Sequence, residues 1–256
     1  LRRRRRDGGL LRRHGGGIET GLGHRPLMAL VAIRLLLLLA ATLVPASGAR
    51  AAGGAHIVDD SEVETPGTCH LETWITRFVP GDGYLNLGPA CTSTPMPRIE
   101  MGATYQHYWD QVINAPLFGP TFKFNFFPEK TGVGLGLGLN AGMNLTTGTV
   151  GIASLIMLMT IPLDERVKIN VNGGWNYLSN VPYQNSAFYG IQVESKVAWD
   201  LSLMLEYFGR EPGITGAQIG LRYTPNDSWF DFDFLAGNIF DSTSAKFFTV
   251  GVTVRF

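Results

Sequence analysis

Apolar and polar residues alternate along most of the chain after residue 69, which is the pattern of β-strands with one apolar and one polar face. The last segment shows it most clearly. In residues 246–256, KFFTVGVTVRF, every second residue from Phe248 to Phe256 is apolar, and the residues between them are Thr, Gly or Arg. Apolar residues at helical spacing do not recur in this part of the chain. The pattern therefore predicts an all-β fold.

Twelve segments carry this alternation and predict twelve strands. They cover residues 70–79, 84–91, 97–110, 118–127, 131–145, 148–161, 166–177, 188–199, 201–209, 214–224, 229–236 and 246–256. The count stays open at ten or fourteen, because the first hairpin and the segment 148–161 alternate least clearly. Both faces of 148–161 are apolar, so a buried helix is the alternative there, although this segment is short for a membrane helix and lies between strands.

Large aliphatic and aromatic side chains dominate one face of these strands, whereas Asn, Gln, Gly, Thr and charged residues occupy the other. This division is typical of a sheet with lipid outside and a polar lumen inside. Because hydrocarbon satisfies no backbone N–H or C=O group, such a sheet must close on itself. Residues 69–256 are therefore predicted to form a closed antiparallel up-and-down transmembrane β-barrel of about 12 strands in a bacterial outer membrane.

The connections between the predicted strands divide into short and long ones. An even number of strands places both termini on the periplasmic side, where the tight turns 162–166, 198–201 and 224–228 are expected. The longer connections are expected on the outside of the cell. They cover residues 111–120, 178–187, 209–216 and 237–245.

The first 68 residues do not share this alternation. Residues 28–51 combine Met28, an apolar run from Leu35 to Val44 and the cleavage pattern Ala-Arg-Ala at 49–51, which is typical of a secretory signal peptide. Residues 1–27 lack an initiating Met and are rich in arginine, so upstream translation is the expected explanation and a basic arm for nucleic acid the alternative. Residues 52–68 are then expected to form a short periplasmic segment.

Charge and cysteine content narrow the classes of partner. Without residues 1–51, the chain loses ten of its 21 Lys and Arg but two of its 21 Asp and Glu, which leaves 11 basic and 19 acidic residues. This balance gives no support for nucleic acid as a partner. Cys69 and Cys91 are expected to form a disulfide across the first hairpin, because an exported chain meets an oxidising compartment. A metal site is the less favoured alternative, and no cofactor is expected.

The polar strand faces carry charged residues of both signs, which predicts a lumen with a mixed electrostatic network. The expected pore-lining residues are Glu100, Lys123, Lys168, Glu194, Lys196, Glu206, Arg222, Asp231, Asp233 and Arg255. Arg222 is expected to pair with Asp231 and Asp233, for which calcium binding or acid–base chemistry is the alternative role. Glycines alternate with apolar residues in 131–144, which predicts a lumen face with room for long side chains.

Three stretches resemble a group of proteobacterial outer-membrane proteins. They are HIVDDSEVETPGTCHLETWI at residues 56–75, PRIEMGATYQH at 97–107 and the terminal GVTVRF. The chain is similar in these stretches to the MetA-pathway-of-phenol-degradation type of transporter, a resemblance that implies passive uptake of small aromatic or apolar molecules. The final Phe256 also resembles the C-terminal signal by which the barrel assembly machinery recognises its substrates.

These observations predict a passive channel or facilitator for a small solute, with outer-membrane lipid around it and no catalytic residues. The first alternative is a structural or surface-interaction barrel with a plugged lumen. The second is an outer-membrane lipid hydrolase, for which His107 is the candidate base. An interfacial structural role is the favoured interpretation of His107, because it lies on the apolar face of its strand beside Trp109.

Overall fold

The computed structural model describes residues 55–79, 81–109, 114–179, 181–225, 229–240 and 244–256. The predicted upstream segment 1–27 and the predicted signal peptide 28–51 lie outside these residues. No helix in the described part of the chain is long and apolar enough to cross a membrane.

Twelve strands follow one another along the chain, as predicted. Their bounds are β1 Thr68–Phe78, β2 Gly83–Thr92, β3 Ile99–Trp109, β4 Asn114–Phe127, β5 Gly134–Asn144, β6 Val150–Pro162, β7 Val167–Leu178, β8 Asn185–Ala198, β9 Leu201–Glu211, β10 Thr215–Tyr223, β11 Phe230–Ile239 and β12 Lys246–Arg255. Each strand pairs with its chain neighbours, and β1 also pairs with β12, so the sheet closes into an antiparallel barrel. Closure gives every strand a partner on both sides and leaves no free edge.

The alternation in the sequence becomes the division between the outer and inner faces of the barrel. On β12, the side chains of Phe248 and Val250 are exposed on the outer face, whereas Thr249 and Thr253 are buried on the inner face. Strand β6 explains why the segment 148–161 looked ambiguous. Its outward Leu155 and Met157 are exposed and apolar, while Leu158 is buried on the inner face, so a strand with two apolar faces imitates a buried helix.

We call the end of the barrel at Thr68 and Arg255 the terminal end, and the opposite end, where the β1–β2 connection lies, the hairpin end. The expected difference in connection length between the two ends is wrong. Connections of up to six residues occur at both ends, for example 93–98 at the terminal end and 179–184 at the hairpin end. The predicted loops 111–120 and 178–187 are shortened because β4 already begins at Asn114 and β8 at Asn185, where backbone pairing continues through turn-forming residues.

Cys69 and Cys91 form the expected disulfide. They are register partners on β1 and β2, with a Cα–Cα distance of 4.0 Å. Alternation places both on the outer face, because their neighbours His70 and Ala90 are buried inside. The disulfide therefore closes the first hairpin at the terminal end of the barrel.

Candidate functional site: the lumen

The chain that precedes β1 lies inside the barrel. Residues 55–67, which we call the inner segment, contact the inner wall, and Val58, Ser61 and Glu64 are almost completely buried. The described part of the predicted periplasmic segment 52–68 thus has a different location from the one expected. The physical reason is hydrogen bonding. The inner wall offers acceptors such as the side chains of Glu206 and Asn172, and backbone N–H groups of the inner segment donate to them.

Glycines on the inner wall make room for the inner segment. A Cβ atom placed on Gly190 would lie 2.6 Å from Cγ2 of Val58, and one on Gly136 would lie 3.0 Å from the carbonyl oxygen of Ser61. The first distance is shorter than real Cβ contacts, and the second is tighter than most of them. The glycines of β5, predicted to leave room for long side chains, therefore leave room for Ser61 of the inner segment.

At the terminal end, Arg255 binds the inner segment to the wall. Its guanidinium donates to Glu64 at 2.9 Å through Nε and also pairs with Asp231. The backbone N–H of Glu64 donates to Glu100 at 2.9 Å. Arg255 and Glu64 are both excluded from solvent, and charge-assisted hydrogen bonds of this kind are stronger than neutral ones.

A second group of ion pairs lies across the lumen from Arg255. Lys123 contacts Asp59 at 3.0 Å and Asp60 at 3.3 Å, and Lys168 contacts Asp60 at 3.2 Å. The side chain of Asn172 accepts from the backbone N–H of Asp59 and donates to its carbonyl oxygen. Two lysines from different strands thus converge on one Asp-Asp pair of the segment.

The third attachment is His56. Its Nδ1 lies 2.6 Å from Glu206, and its Nε2 lies 3.5 Å from Asp233. Burial by itself lowers the pKa of His56, but the carboxylates of Glu206 and Asp233 outweigh it and raise the pKa to about 9. The imidazole is therefore charged at neutral pH. Glu206 also accepts the backbone N–H groups of Ile57 and Val58.

Nine of the ten predicted pore-lining residues take part in this network. Glu100, Lys123, Lys168, Glu206, Asp233 and Arg255 contact the inner segment directly, while Asp231, Arg222 and Glu194 pair with Arg255, Asp233 and Lys168. Lys196 is exposed near the terminal end, outside the network. Arg222 pairs with Asp233 at 2.7 Å, but Asp231 binds Arg255 instead. That these residues line a conducting pore stays a prediction.

No group of three or more His, Cys, Asp or Glu residues is placed to hold a metal ion in the described part of the chain. The carboxylates of Glu64, Asp60 and Glu100 face guanidinium, ammonium and peptide N–H groups instead. Asp231 and Asp233 show this for the pair that could have bound calcium, since each contacts an arginine.

The lumen contains a cavity of about 560 Å³ that extends from the hairpin end to His70, Glu100 and Lys123, which lie closer to the terminal end. Its wall begins at the hairpin end with residues such as Tyr84, Tyr108 and Arg210, and its floor includes Ile57 and Asp59 of the inner segment. Polar wall residues include His70, Glu72, Asn86, Gln106, Asn140 and Asn176. Apolar wall residues include Trp74, Ile156, Leu158, Phe188 and Phe208.

Part of the interior beside this cavity is apolar. Phe188, Phe208, Ile239 and Phe247 form a buried cluster with Val58 of the inner segment. The rings of Phe208 and Phe247 lie 6.5 Å apart. The cluster fills the lumen next to β8, β9, β11 and β12 and confines the open space to the other side of the barrel.

Two parts of this site were missed by the sequence analysis. The cavity residues His70, Glu72 and Trp74 alternate on β1 and share the inner face, so their spacing was a usable signal. Residues 55–67 have no periodicity, and their location depends on contacts with distant strands. The acidic composition of the segment, opposite basic residues on the wall, was the one available hint.

His107 lies on the outer face at the hairpin end, where its ring is 6.5 Å from that of Trp109. Its Nδ1 atom is buried and has no hydrogen-bond partner among the described residues. This environment is apolar and agrees with the interfacial interpretation of His107.

The fold and the lumen define the architectural class: a twelve-stranded barrel of the kind found among outer-membrane channels. The sequence model of the family "Uncharacterised conserved protein UCP029691" matches residues 40–256, and the chain belongs to that family. No curated protein matches the sequence significantly. The resemblance to the MetA-pathway group is not tested by these matches and stays a prediction.

Several solved outer-membrane channels share the fold. The KdgM porin in complex with disordered oligogalacturonate aligns with a TM-score of 0.56 at 8% identity, over 73% of this chain and 99% of the porin. The NanC porin gives 0.55 at 8%, over 72% and 98%. The COG4313 outer membrane channel from Pseudomonas putida F1 gives 0.55 at 9%, over 77% and 98%. At these identities the likeness concerns the architecture of the barrel.

Proposed function

We propose that this protein is a passive channel of the bacterial outer membrane for a small solute, and that the inner segment closes it at rest. The observation that carries the proposal is the cavity of about 560 Å³ inside a barrel whose outer face is apolar. A cavity of this size that begins at one barrel end suits a solute entering from that side. Apolar residues in its wall support the expectation that the solute has an aromatic or apolar part.

The orientation follows from the termini. Both ends of the barrel sheet lie at the terminal end, which faces the periplasm in barrels of this kind. The cavity then faces the outside of the cell, and the inner segment separates it from the periplasm. The C-terminal Phe256 at the periplasmic rim suits recognition by the barrel assembly machinery.

Passage through the barrel requires the inner segment to move. The segment is attached by side chains such as Arg255, Lys123 and Glu206, and it forms no strand of the barrel sheet. Its displacement therefore breaks ion pairs and hydrogen bonds but leaves the backbone ladder intact. A gate of this construction opens without unfolding the barrel.

A disulfide between the inner segment and the wall tests this gate. Cβ of Val58 lies 3.7 Å from the Cβ position of Gly190, which is within the range that a disulfide bridges. The double variant Val58→Cys with Gly190→Cys is expected to lose conductance in planar bilayers and permeability in liposome-swelling assays when oxidised. Both are expected to return when the new disulfide is reduced.

The single variants Val58→Cys and Gly190→Cys, treated with the same oxidant and reductant, control for each substitution and for reduction of the native disulfide. A barrel that conducts equally well with the segment locked would contradict the proposed gate. A wild-type barrel that conducts nothing, and still conducts nothing after residues 55–66 are deleted, would contradict the channel itself.

The second candidate is a closed barrel with a structural or surface-interaction role. The observation in its favour is the dense attachment of the inner segment, in which Arg255 and Glu64 are fully buried. This candidate predicts that deletion of the loop residues 179–184 removes a surface phenotype while permeability stays unchanged. The short connections at the hairpin end leave little loop surface for such a role.

A lipid hydrolase centred on His107 receives no support from the geometry. Hydrolysis by a serine or water nucleophile needs a base within hydrogen-bond distance and a group that orients it. The nearest ring to His107 that the structure records is that of Trp109, and Nδ1 of His107 has no hydrogen-bond partner in the described part of the chain.

A further inference from the structure

Glu72 differs from the other acidic residues of the lumen. Asp60, Glu64, Glu194, Glu206, Asp231 and Asp233 each contact a Lys, Arg or His side chain at 3.5 Å or less, and Glu100 accepts a backbone N–H. Among the described residues, the recorded polar contact of Glu72 is Nε2 of His70 at 3.8 Å, which is too long for a hydrogen bond. Glu72 therefore has no hydrogen bond or ion pair to a Lys or Arg side chain among the described residues.

Glu72 lines the cavity, and its side chain is 15% exposed. Its register partner on β2 is Gly88, so no side chain from that strand covers it. A Cβ atom added at Gly88 would meet Cβ of Glu72 at 3.9 Å, which is an ordinary contact. Both residues line the cavity.

Aromatic rings continue the wall from Glu72 toward the hairpin end. Trp74 follows Glu72 by two residues and shares its face of β1. Tyr84 and Tyr108 lie further along, with stacked rings 5.1 Å apart. The faces of such rings attract cations, and their area favours flat apolar groups.

Two polar atoms of cavity wall residues have no hydrogen-bond partner among the described residues, although Nδ1 of His70 lies 3.9 Å from Glu64 and 4.0 Å from Glu100. His70 is 3% exposed and its Nδ1 makes no hydrogen bond to described residues. Oδ1 of Asn140, on β5, is also buried without a donor. Buried polar atoms of this kind are unfavourable unless a ligand or water satisfies them, and both belong to residues that line the cavity.

We propose that this cavity binds a small organic cation: a protonated amine that carries an aromatic or apolar group. The ammonium group pairs with Glu72, the aromatic part packs on Trp74 and the Tyr84–Tyr108 pair, and the opposite wall of Ile156, Leu158 and Phe208 encloses the apolar part. The inference deepens the proposed channel function by naming the class of solute. The inference rests on the proposed channel function only where it concerns transport. Binding of the amine in the cavity does not require that the amine crosses the barrel.

Isothermal titration calorimetry with the detergent-purified full chain tests the proposal with three matched probes. These are 2-phenylethylamine, the neutral 2-phenylethanol and the anionic phenylacetate. The amine is expected to bind most tightly and the carboxylate least. Glu72→Gln preserves the shape of the side chain and is expected to weaken amine binding by about tenfold, with little effect on the alcohol.

Glu165→Gln is the matched control, since Glu165 is exposed in the β6–β7 turn and the variant makes the same change in charge. It is expected to bind the amine like the wild type. Equal affinity of the wild type for all three probes, or equal amine affinity of the Glu72 and Glu165 variants, would overturn the assignment of the solute class.

Conductance distinguishes failure of this inference from failure of the channel. If the barrel conducts ions but does not bind the amine, the proposed channel stands and the proposed amine site is wrong. If the barrel binds the amine through Glu72 but is impermeable, the proposed amine site stands and the proposed channel is wrong. A gel shift on heating confirms in each case that the variant barrel is folded.

Discussion

The two halves of the lumen are enclosed by the same twelve strands but differ in what fills them. In the terminal half, long charged side chains such as Arg255 and Lys168 extend from the wall to the inner segment, and Arg255, Glu64 and Thr160 are almost completely buried. In the hairpin half, amides and aromatic rings border a cavity that reaches as far as Glu100 and Lys123. The barrel wall therefore does not decide by itself whether the lumen is open.

The difference shows how the energetic role of a polar group depends on its access to water. The side chain of Thr160 in the terminal half is fully buried, so removal of its hydroxyl leaves its protein partners unsatisfied. In the hairpin half, cavity water can take the place of a lost partner. The same substitution is therefore expected to have a larger effect in the terminal half.

The largest effect is expected for Arg255→Met. This change leaves the buried carboxylates of Glu64 and Asp231 without their guanidinium, which is expected to lower the free energy of unfolding by about 3–5 kcal/mol. Urea titration in detergent micelles measures the loss. The control is Lys246→Met, because Lys246 is exposed at the start of the same strand. Equal losses of unfolding free energy in the two variants would contradict the expected difference between buried and exposed positions.

The next effect is a dependence on pH through His56. Its pKa rises from the ordinary value of 6.5 to about 9 in the folded protein, next to Glu206 and Asp233. The corresponding stabilisation is fully present below pH 6.5 and is lost as the pH rises through about 9, with a total of about 3 kcal/mol. Urea titrations between these pH values measure it. His56→Gln is expected to abolish this dependence, and a variant that keeps it would show that another group is responsible.

A smaller effect is expected for Thr160→Val in the terminal half. The hydroxyl of Thr160 accepts from the backbone N–H of Ser61 and donates to Asn170, each at 2.9 Å. Valine leaves both of these buried partners unsatisfied, so the free energy of unfolding is expected to fall by about 1–3 kcal/mol. Thr160→Ser keeps the hydroxyl and separates this loss from that of the methyl group.

The smallest effect is expected for Thr104→Val in the hairpin half, where the hydroxyl donates to Asn86 at 3.0 Å. Both residues line the cavity, so water can satisfy the freed Asn86 side chain, and a loss below about 1 kcal/mol is expected. The difference between the two halves of the lumen is tested most sharply when this variant is compared with Thr160→Val by the same unfolding measurement. A loss at residue 104 as large as that at residue 160 would contradict it.

Most of the barrel could be predicted from the sequence. The closed barrel of about twelve strands and the Cys69–Cys91 disulfide are confirmed, whereas the alternation leaves the lumen face of the segment 148–161 open. Alternation of period two is a local property, so Phe248 and Thr249 point to opposite faces whatever they contact later. Strand ends were less accurate, because Asn114 and Asn185 favour turns locally but pair with neighbouring strands in the barrel.

The lumen was predictable in part. The inner location of Arg255, Glu206 and Lys123 followed from alternation, but their partners did not. These side chains bind residues 56–64, which are far away in the chain, as the contact between His56 and Glu206 illustrates. Glu72 belongs to a strand whose pattern was recognised, yet only the tertiary structure shows that it lines the cavity opposite Gly88 on β2.

The sequence alone determined the all-β class and the apolar outer surface and indicated about twelve strands, since each of these depends on residues that are neighbours in the chain. The tertiary structure decided the position of residues 55–67 inside the barrel, the ion pairs that hold them there and the location of the remaining cavity. These features arise when closure brings distant strands around one space, because the free energy of a buried charge or an open cavity depends on what surrounds it in three dimensions.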